Sequence, residues 1–260
     1  FWTQAIRAYR GLRPILSGRK PRPEQFRWMK TNAAEPRRYY FDNVLKMIDL
    51  EKSFGAVSTL YLLNGSGGRY GARSSPELIR ELTGRVPEGW ELGMHYNYDT
   101  HLDPSRFMSQ KDSLEELTGR EMTVGRAHYL RFDPVESPAF YATNDIKYDE
   151  SSGYVDFTGY RNGIAGVFNP LDIRDGRELE LLELPMTIME STLVSQYGEA
   201  ADQALKRLLL HLKAVGGALT LLFHPDKYDN PEFPHLQGAY EVWLKTCCEA
   251  GAVFKTPSGL

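Results

Sequence analysis

An α/β fold with parallel strands follows from two features of the chain: short apolar runs alternate with helical patterns at least five times, and two of those runs end in histidine. Strands separated by helix-length segments pair in parallel through right-handed crossovers, which gives a barrel or an open α/β sheet. In either architecture ligands sit at the carboxyl ends of the strands, so the residues ending each run are the ones to weigh. A length of 260 residues suits one such domain over residues 1–260, with residues 1–40 an N-terminal arm or connector rich in proline and charge.

The elements take up in order after that arm. Phe41, Val44, Leu45 and Ile48 recur at helical spacing, and Gly55 ends the helix. AVSTLYLLN (56–64) reads as a buried strand. Ser75 and Pro76 are an N-cap and first helical residue, and WELGMH (90–95) is the next strand. Asp103 and Pro104 open a helix in the same way, closed by Gly119, before the extended segment TVGRAHYL (123–130). Asp133, Pro134 and Glu136 resemble a capping box that starts a short helix across PVESPAFYATN, kinked or cut by Pro138. IKYDES (146–151) and LLELPMTIM (181–189) are further strands, separated by a long glycine-rich, aromatic excursion over 153–170. Ala201, Ala204, Leu205, Leu208 and Leu212 mark an amphipathic helix, GGALTLLFH (216–224) a fully buried strand, Leu236 to Cys247 a last helix, and AVFK (252–255) a last strand.

Composition removes several function classes. A net charge of −3 gives no electrostatic footprint for nucleic acid or an anionic membrane surface. No run of 18 apolar residues exists to span a bilayer. Cys247 and Cys248 are adjacent on a helix and project about 100° apart, which makes them poor disulfide partners and favours a reducing, cytoplasmic setting. The start of the chain lacks an initiator Met and a signal-peptide core, which suggests that native sequence upstream is absent. No GxSxG motif is present, and NGSGGRYG (64–71) has no phosphate-loop Lys and opens no helix, so it reads as a mobile loop beside the rim.

What remains at strand ends is imidazole, guanidinium and carboxylate. His95 ends WELGMH, His224 ends GGALTLLFH, Arg126 and His128 lie in TVGRAHYL, and Asp149 ends IKYD; all five are expected on one rim. In GMHYNYDTH, His95, Asp99 and His101 offer the nitrogen and oxygen donors that a borderline-soft divalent ion accepts. His224, stopped by Pro225 at the boundary of core and cleft, is placed for proton transfer near neutrality. Arg126 on a buried strand requires a carboxylate partner, either in the site or in a structural pair. His211 and His235 have no convergent partners and read as surface or capping residues.

The segment from WELGMH to YLRFDP resembles the central part of the NodB-like polysaccharide deacetylases, in particular a divergent branch found with surface-polysaccharide biosynthesis. YDESSGYVDFTGYRNGIAGVFNPLDI, LLELPMTIMESTL and GGALTLLFHPD follow in the family's order, so the likeness spans about residues 41–256. It implies a distorted (β/α) barrel holding zinc or a similar divalent metal on one aspartate and two histidines and hydrolysing an N-acetyl group from a sugar. His95 matches the first metal histidine. The second stands four positions later in the family, where this chain has Asp99, with His101 the nearest replacement. Arg126 matches the arginine that positions the catalytic base, His128 and Tyr129 stand where a substrate-lining aromatic or proline is usual, and His224 matches the general acid. The family's paired first-strand aspartates have no counterpart, because Asp42 and Asp49 fall on the helix that begins near Phe41.

The expectation is therefore a metal-dependent hydrolase of N-acylated sugars in surface-polysaccharide biosynthesis, with His224 and Arg126 catalytic, His95, His101 and Asp99 at the metal, and His128, Tyr129, Asp149 and Tyr96 lining the substrate. Tyr98, Tyr154 and Tyr160 add stacking faces to Tyr96 and Tyr129. The alternative is a catalytically silent carbohydrate-binding or assembly protein on the same fold.

Overall fold

A computed structural model describes residues 36–65, 70, 74–230 and 233–260. The proposed N-terminal arm, up to residue 35, and most of the glycine-rich stretch 64–71 lie outside the described residues. Helix α1 (Pro36–Ser53) starts five residues before Phe41. The order continues β1 (Thr59–Leu62), α2 (Pro76–Thr83), β2 (Glu91–Tyr96), α3 (Pro104–Thr118), β3 (Val124–Ala127), α4 (Ser137–Thr143), β4 (Tyr148–Asp149), β5 (Leu182–Glu183), β6 (Met186–Met189), α5 (Glu190–Tyr197), α6 (Ala201–Val215), β7 (Thr220–Leu222) and α7 (Leu236–Ala250).

Helix starts follow their caps. Ser75 accepts from the Leu78 amide and Asp103 from the Arg106 amide, each with proline just inside the helix. Gly119 closes α3 in the left-handed region at φ 66°. Asp133 also accepts two amides, from Val135 and Glu136, but the chain makes turns there and α4 starts only at Ser137, immediately before Pro138.

All strand pairings between named strands are parallel, in the order β1-β2-β3-β4-β5 and β6-β7. Pro185, which cannot donate to a ladder, separates β5 from β6. A parallel bridge from Gly153 to Met186 carries the pairing past that break, so the strands form one wall from β1 to β7. Helix α1 ties the two halves together. Phe41, Val44 and Ile48 join the core around Leu92, Met94 and Phe107, while Met47 joins the one around Ile188, Leu205 and Trp243. Asn43 also donates to the carbonyls of Pro225 and Tyr228, pinning the turn after β7.

Register sorts the polar residues of the wall onto two faces. Leu62, Met94, Gly125, Asp149 and Glu183 are successive partners in one row, and His95 pairs with Arg126 in the next. Because side chains alternate along a strand, the two rows point to opposite faces. Each face has a glycine over which a tyrosine lies. A Cβ on Gly93 would stand 2.7 Å from the Tyr61 ring, and one on Gly125 would stand 2.1 Å from that of Tyr96. Tyr61 covers the His95 face; Tyr96 crosses the other and reaches Asp149 with its hydroxyl at 3.0 Å.

Two expected features are corrected. Residues 252–255 form no strand; Val253 is largely exposed and the segment pairs with no neighbour among the described residues. The run 216–224 yields only the three half-buried residues of β7, at the end of its sheet.

Behind the wall, Asp149 and Glu183 are neighbours on β4 and β5 with 0 and 1% of their surface exposed. Asp149 accepts from Tyr96, from the Ser151 hydroxyl and from the Ser151 amide, and Glu183 accepts from the Ser152 amide. Burial pushes Asp149 up to about 6 and Glu183 well above the usual carboxylate range, with Asp149 itself raising Glu183 further. The folded state thus holds protons that the unfolded chain releases near pH 4. This stabilisation is fully present in acid and is lost as pH rises from about 4 through 6 and beyond. Glu183→Gln, an uncharged isostere, should flatten this dependence and raise the unfolding temperature at pH 8 relative to wild type. Thermal unfolding recorded from pH 5 to 8 tests it, and equal slopes for the two proteins would show that the pair carries no shared proton.

Candidate active site

The candidate residues stand at the carboxyl ends of β2, β3 and β7. His95 is half-buried near the end of β2, and its Nδ1 lies 2.9 Å from the Arg126 carbonyl. A carbonyl only accepts, so Nδ1 carries the proton and Nε2 keeps its lone pair. Burial first, and the neighbouring His128 next, push the ring down to about 3. His95 is therefore a neutral imidazole at physiological pH, in the form that accepts a hydrogen bond or ligates a metal.

Arg126, the partner of His95 in register, is buried and pairs with Glu150 from the strand edge beyond β4. Its guanidinium also lies 4.4 Å from the centre of the Tyr61 ring. The carboxylate that a buried arginine demands is thus Glu150, supplied from within the sheet.

Beyond β3 the chain turns sharply. Tyr129 and Leu130 adopt φ of 59° and 47°, a left-handed conformation that costs non-glycine residues energy and recurs where geometry serves a site. The turn presents Tyr129, 55% exposed, next to His128, whose ring is 4.4 Å from Tyr129 and 4.8 Å from His95. Tyr70 and Tyr98 gather against Tyr129 at 5.1 and 6.2 Å, and Arg131 stacks on Tyr98 at 4.4 Å. An aromatic shelf thus runs from His95 outwards.

On the β7 side, His224 stands where the strand gives way to a 3-10 turn (Pro225–Lys227). Its Nδ1 is 2.9 and 3.1 Å from the two carboxylate oxygens of Glu190, the first residue of α5. Glu190 is fully buried and also pairs with Lys227. Burial opposes its charge, but His224 and Lys227 outweigh burial and hold it below the usual glutamate range. His224 also contributes to depressing His95, so the two imidazoles lie within electrostatic reach of each other.

Sequence reasoning missed Glu190. Its signal is an acid placed directly after the apolar run MTIM, the same strand-end position that singled out the histidines.

Other expected residues stand elsewhere. Asp149 and Tyr96 are hydrogen-bonded to each other on the opposite face of the wall, both buried, so the structure does not bring them to the rim with His95. Asp99 is 64% exposed in its side chain and turned to Arg106 at 3.5 Å. His101 lies in a recess with Thr100, Phe107 and Arg131, where burial and then Arg131 lower its pKa. Among the described residues no group of three or more His, Cys, Asp or Glu is close enough to hold a metal ion. His95, Asp99 and His101 are not gathered into one group among these residues, with Asp99 turned to Arg106. Tyr154 remains exposed, while Tyr160 is anchored through its hydroxyl to the Ala218 carbonyl at 2.7 Å. No helix among the described residues is long and apolar enough to cross a membrane.

No family model matches the sequence, and no curated relative matches it. Solved structures do. A Mycobacterium smegmatis protein assigned as a polysaccharide deacetylase aligns with a TM-score of 0.57 at 19% identity, over 86% of this chain and 74% of that one. A Pseudomonas aeruginosa PAO1 protein with the same assignment gives 0.58 at 16% identity, over 86% and 73% of the two chains. Puue allantoinase gives 0.59 at 18% identity, over 86% and 72%. At such identities the likeness speaks for architecture, and with the parallel wall, the crossover helices and the histidines at its carboxyl rim it leads to one conclusion: this chain has the α/β fold of the NodB-like polysaccharide deacetylases.

Proposed function

We propose that the protein hydrolyses an N-acyl group, an acetyl group in the simplest case, from a sugar of a surface polysaccharide or its precursor. The observation that carries this reading is the His224–Glu190 pair set within electrostatic reach of His95, with the aromatic shelf of Tyr129, Tyr98 and Tyr70 alongside. Amide hydrolysis needs a group that protonates the departing amine, and an imidazole whose far nitrogen is held by a carboxylate is suited to that task. His224 is that group: its Nε2 takes a proton from the attacking water and passes it to the departing amine, with Glu190 fixing the orientation of the ring. The bare Nε2 of His95 accepts a hydrogen bond from the substrate or its attacking water. Sugar rings have apolar faces and polar edges, and tyrosines accommodate both, so the shelf supports a carbohydrate ligand. Cys247 and Cys248 are both free thiols, in keeping with a reducing, cytoplasmic setting.

A second reading is favoured by one specific observation: Glu150, an acid on the His95 face, is committed to Arg126. On that reading the cleft binds glycan without cleaving it.

Acetate release from N-acetylglucosamine oligosaccharides, measured with the metal content of the purified protein, separates the two. Under the hydrolase reading wild type releases acetate and His224→Ala loses on the order of a hundredfold or more of that rate, the scale of a general acid. Retained glycan binding with no release, in the presence of added zinc, nickel or cobalt, would establish the binding protein instead. Both readings expect Tyr129→Ala to weaken glycan affinity by about 1 kcal/mol, roughly fivefold, as for the loss of one stacked aromatic. Calorimetric titration measures this; an unchanged dissociation constant would remove the shelf from the binding site.

A further inference from the structure

We infer that Lys227 is a positioning residue for His224: by keeping the buried Glu190 ionised, it fixes the imidazole with its proton on Nδ1 and a bare Nε2 towards the cleft. The inference builds on the proposed site in assigning His224 the reactive role, but its geometry stands independently.

Three elements meet at Glu190. Its carboxylate belongs to the first turn of α5, where the unpaired amides of the helix start favour negative charge. His224 reaches it from the end of β7, and Lys227 reaches the same oxygen, Oε1, from the turn that follows. The turn is built for this: the Lys227 amide donates to the His224 carbonyl at 3.0 Å, and Asn43 of α1 holds the Pro225 carbonyl at 2.9 Å. Lys227 is thereby folded back beneath His224, with only 18% of its side chain exposed.

The charge balance then follows. A carboxylate with no exposed surface cannot remain ionised without compensation. If His224 alone supplied it, the ring would have to carry a permanent positive charge, or Glu190 would take a proton and the imidazole would shift its own to Nε2. Lys227 provides the positive charge instead. The ring can then donate its Nδ1 proton to Glu190 with the charge of the carboxylate met by Lys227. Free imidazoles in water do not have this preference imposed on them; here the tautomer is set by what the other nitrogen bonds.

The test is nitrogen-15 NMR of the histidine rings in the whole chain, with the His224 signals identified by their loss in His224→Gln. In wild type the neutral ring should show a protonated Nδ1 and a bare Nε2. Lys227→Met and Lys227→Gln should both lose that pattern, giving either two protonated nitrogens or a proton moved to Nε2, while Lys227→Arg should keep it. Thermal unfolding confirms that each variant is folded, and Lys227→Gln, which retains polarity, substitutes if Lys227→Met does not fold. A wild-type ring protonated on Nε2, or a pattern unchanged in a folded Lys227→Gln protein, would overturn the assignment. No hydrolysis is needed for this readout, so an inactive wild type with the expected pattern refutes the proposed reaction and leaves the role of Lys227 intact.

Discussion

The register between β2, β3 and β4 is the constraint from which the site follows. Pairing His95 with Arg126, and Gly125 with Asp149, assigns every polar residue of the wall to the cleft or to the layer behind it. A slip of one residue would exchange the two sets, burying His95 against the helices and bringing Asp149 to the rim. The two tyrosine–glycine contacts resist that slip. Tyr61 over Gly93 and Tyr96 over Gly125 each need a missing Cβ on the adjacent strand, and a shifted register would put a side chain in both places. Packing at these glycines therefore fixes the chemistry one residue away.

The second half of the wall supports His224 differently. β6 and β7 are short, and β7 is only half-buried, so the strand itself does little to hold the imidazole. Its fixation comes from Glu190 on one side and from the turn pinned by Asn43 on the other. Since α1 contributes to both hydrophobic cores, the same helix that holds this turn also packs behind β1 and β2. Relative placement of His95 and His224 thus depends on one helix distant in sequence from His224.

Helix boundaries were legible because caps are local: Ser75, Asp103 and Gly119 act through neighbours within a few residues. Strand-end histidines were legible for a similar reason, since each follows an apolar run. Parity was not. Knowing that Asp149 ends a strand does not reveal whether it points the same way as His95, because that depends on the offset between strands, a tertiary quantity. Asp99 and His101 illustrate the same limit. Both are close in sequence to His95, but the 3-10 turn at Tyr98–Thr100 directs Asp99 to Arg106 and His101 to a recess that it shares with His128 and Arg131. Glu190 went unread because an acid after an apolar strand looks like an ordinary helix start, and only the approach of His224 and Lys227 from 34 and 37 residues away gives it another role. The segment 252–255 has strand composition but no partner, which is a statement about neighbours that composition does not contain.

Buried acids in this molecule are shifted in opposite directions, and the difference has a single cause. Asp149 and Glu183 have hydroxyls, amides and each other for company, so desolvation prevails and both are pushed up, Glu183 the further. Glu190 is as deeply enclosed but has a helix start, an imidazole and an ammonium group beside it, and the charge survives. Burial alone therefore does not set the state of a carboxyl; the nearest cation does. Applied to the wall as a whole, this separates structure from chemistry. The pair behind the sheet holds strands together, whereas an ionised carboxylate in contact with a partly exposed imidazole can direct where a proton goes. Among the described residues Glu190 combines a depressed pKa with a histidine partner that is partly open to solvent, and on the proposed reading that makes the β7 rim, more than the cluster that follows β2, the place for proton transfer.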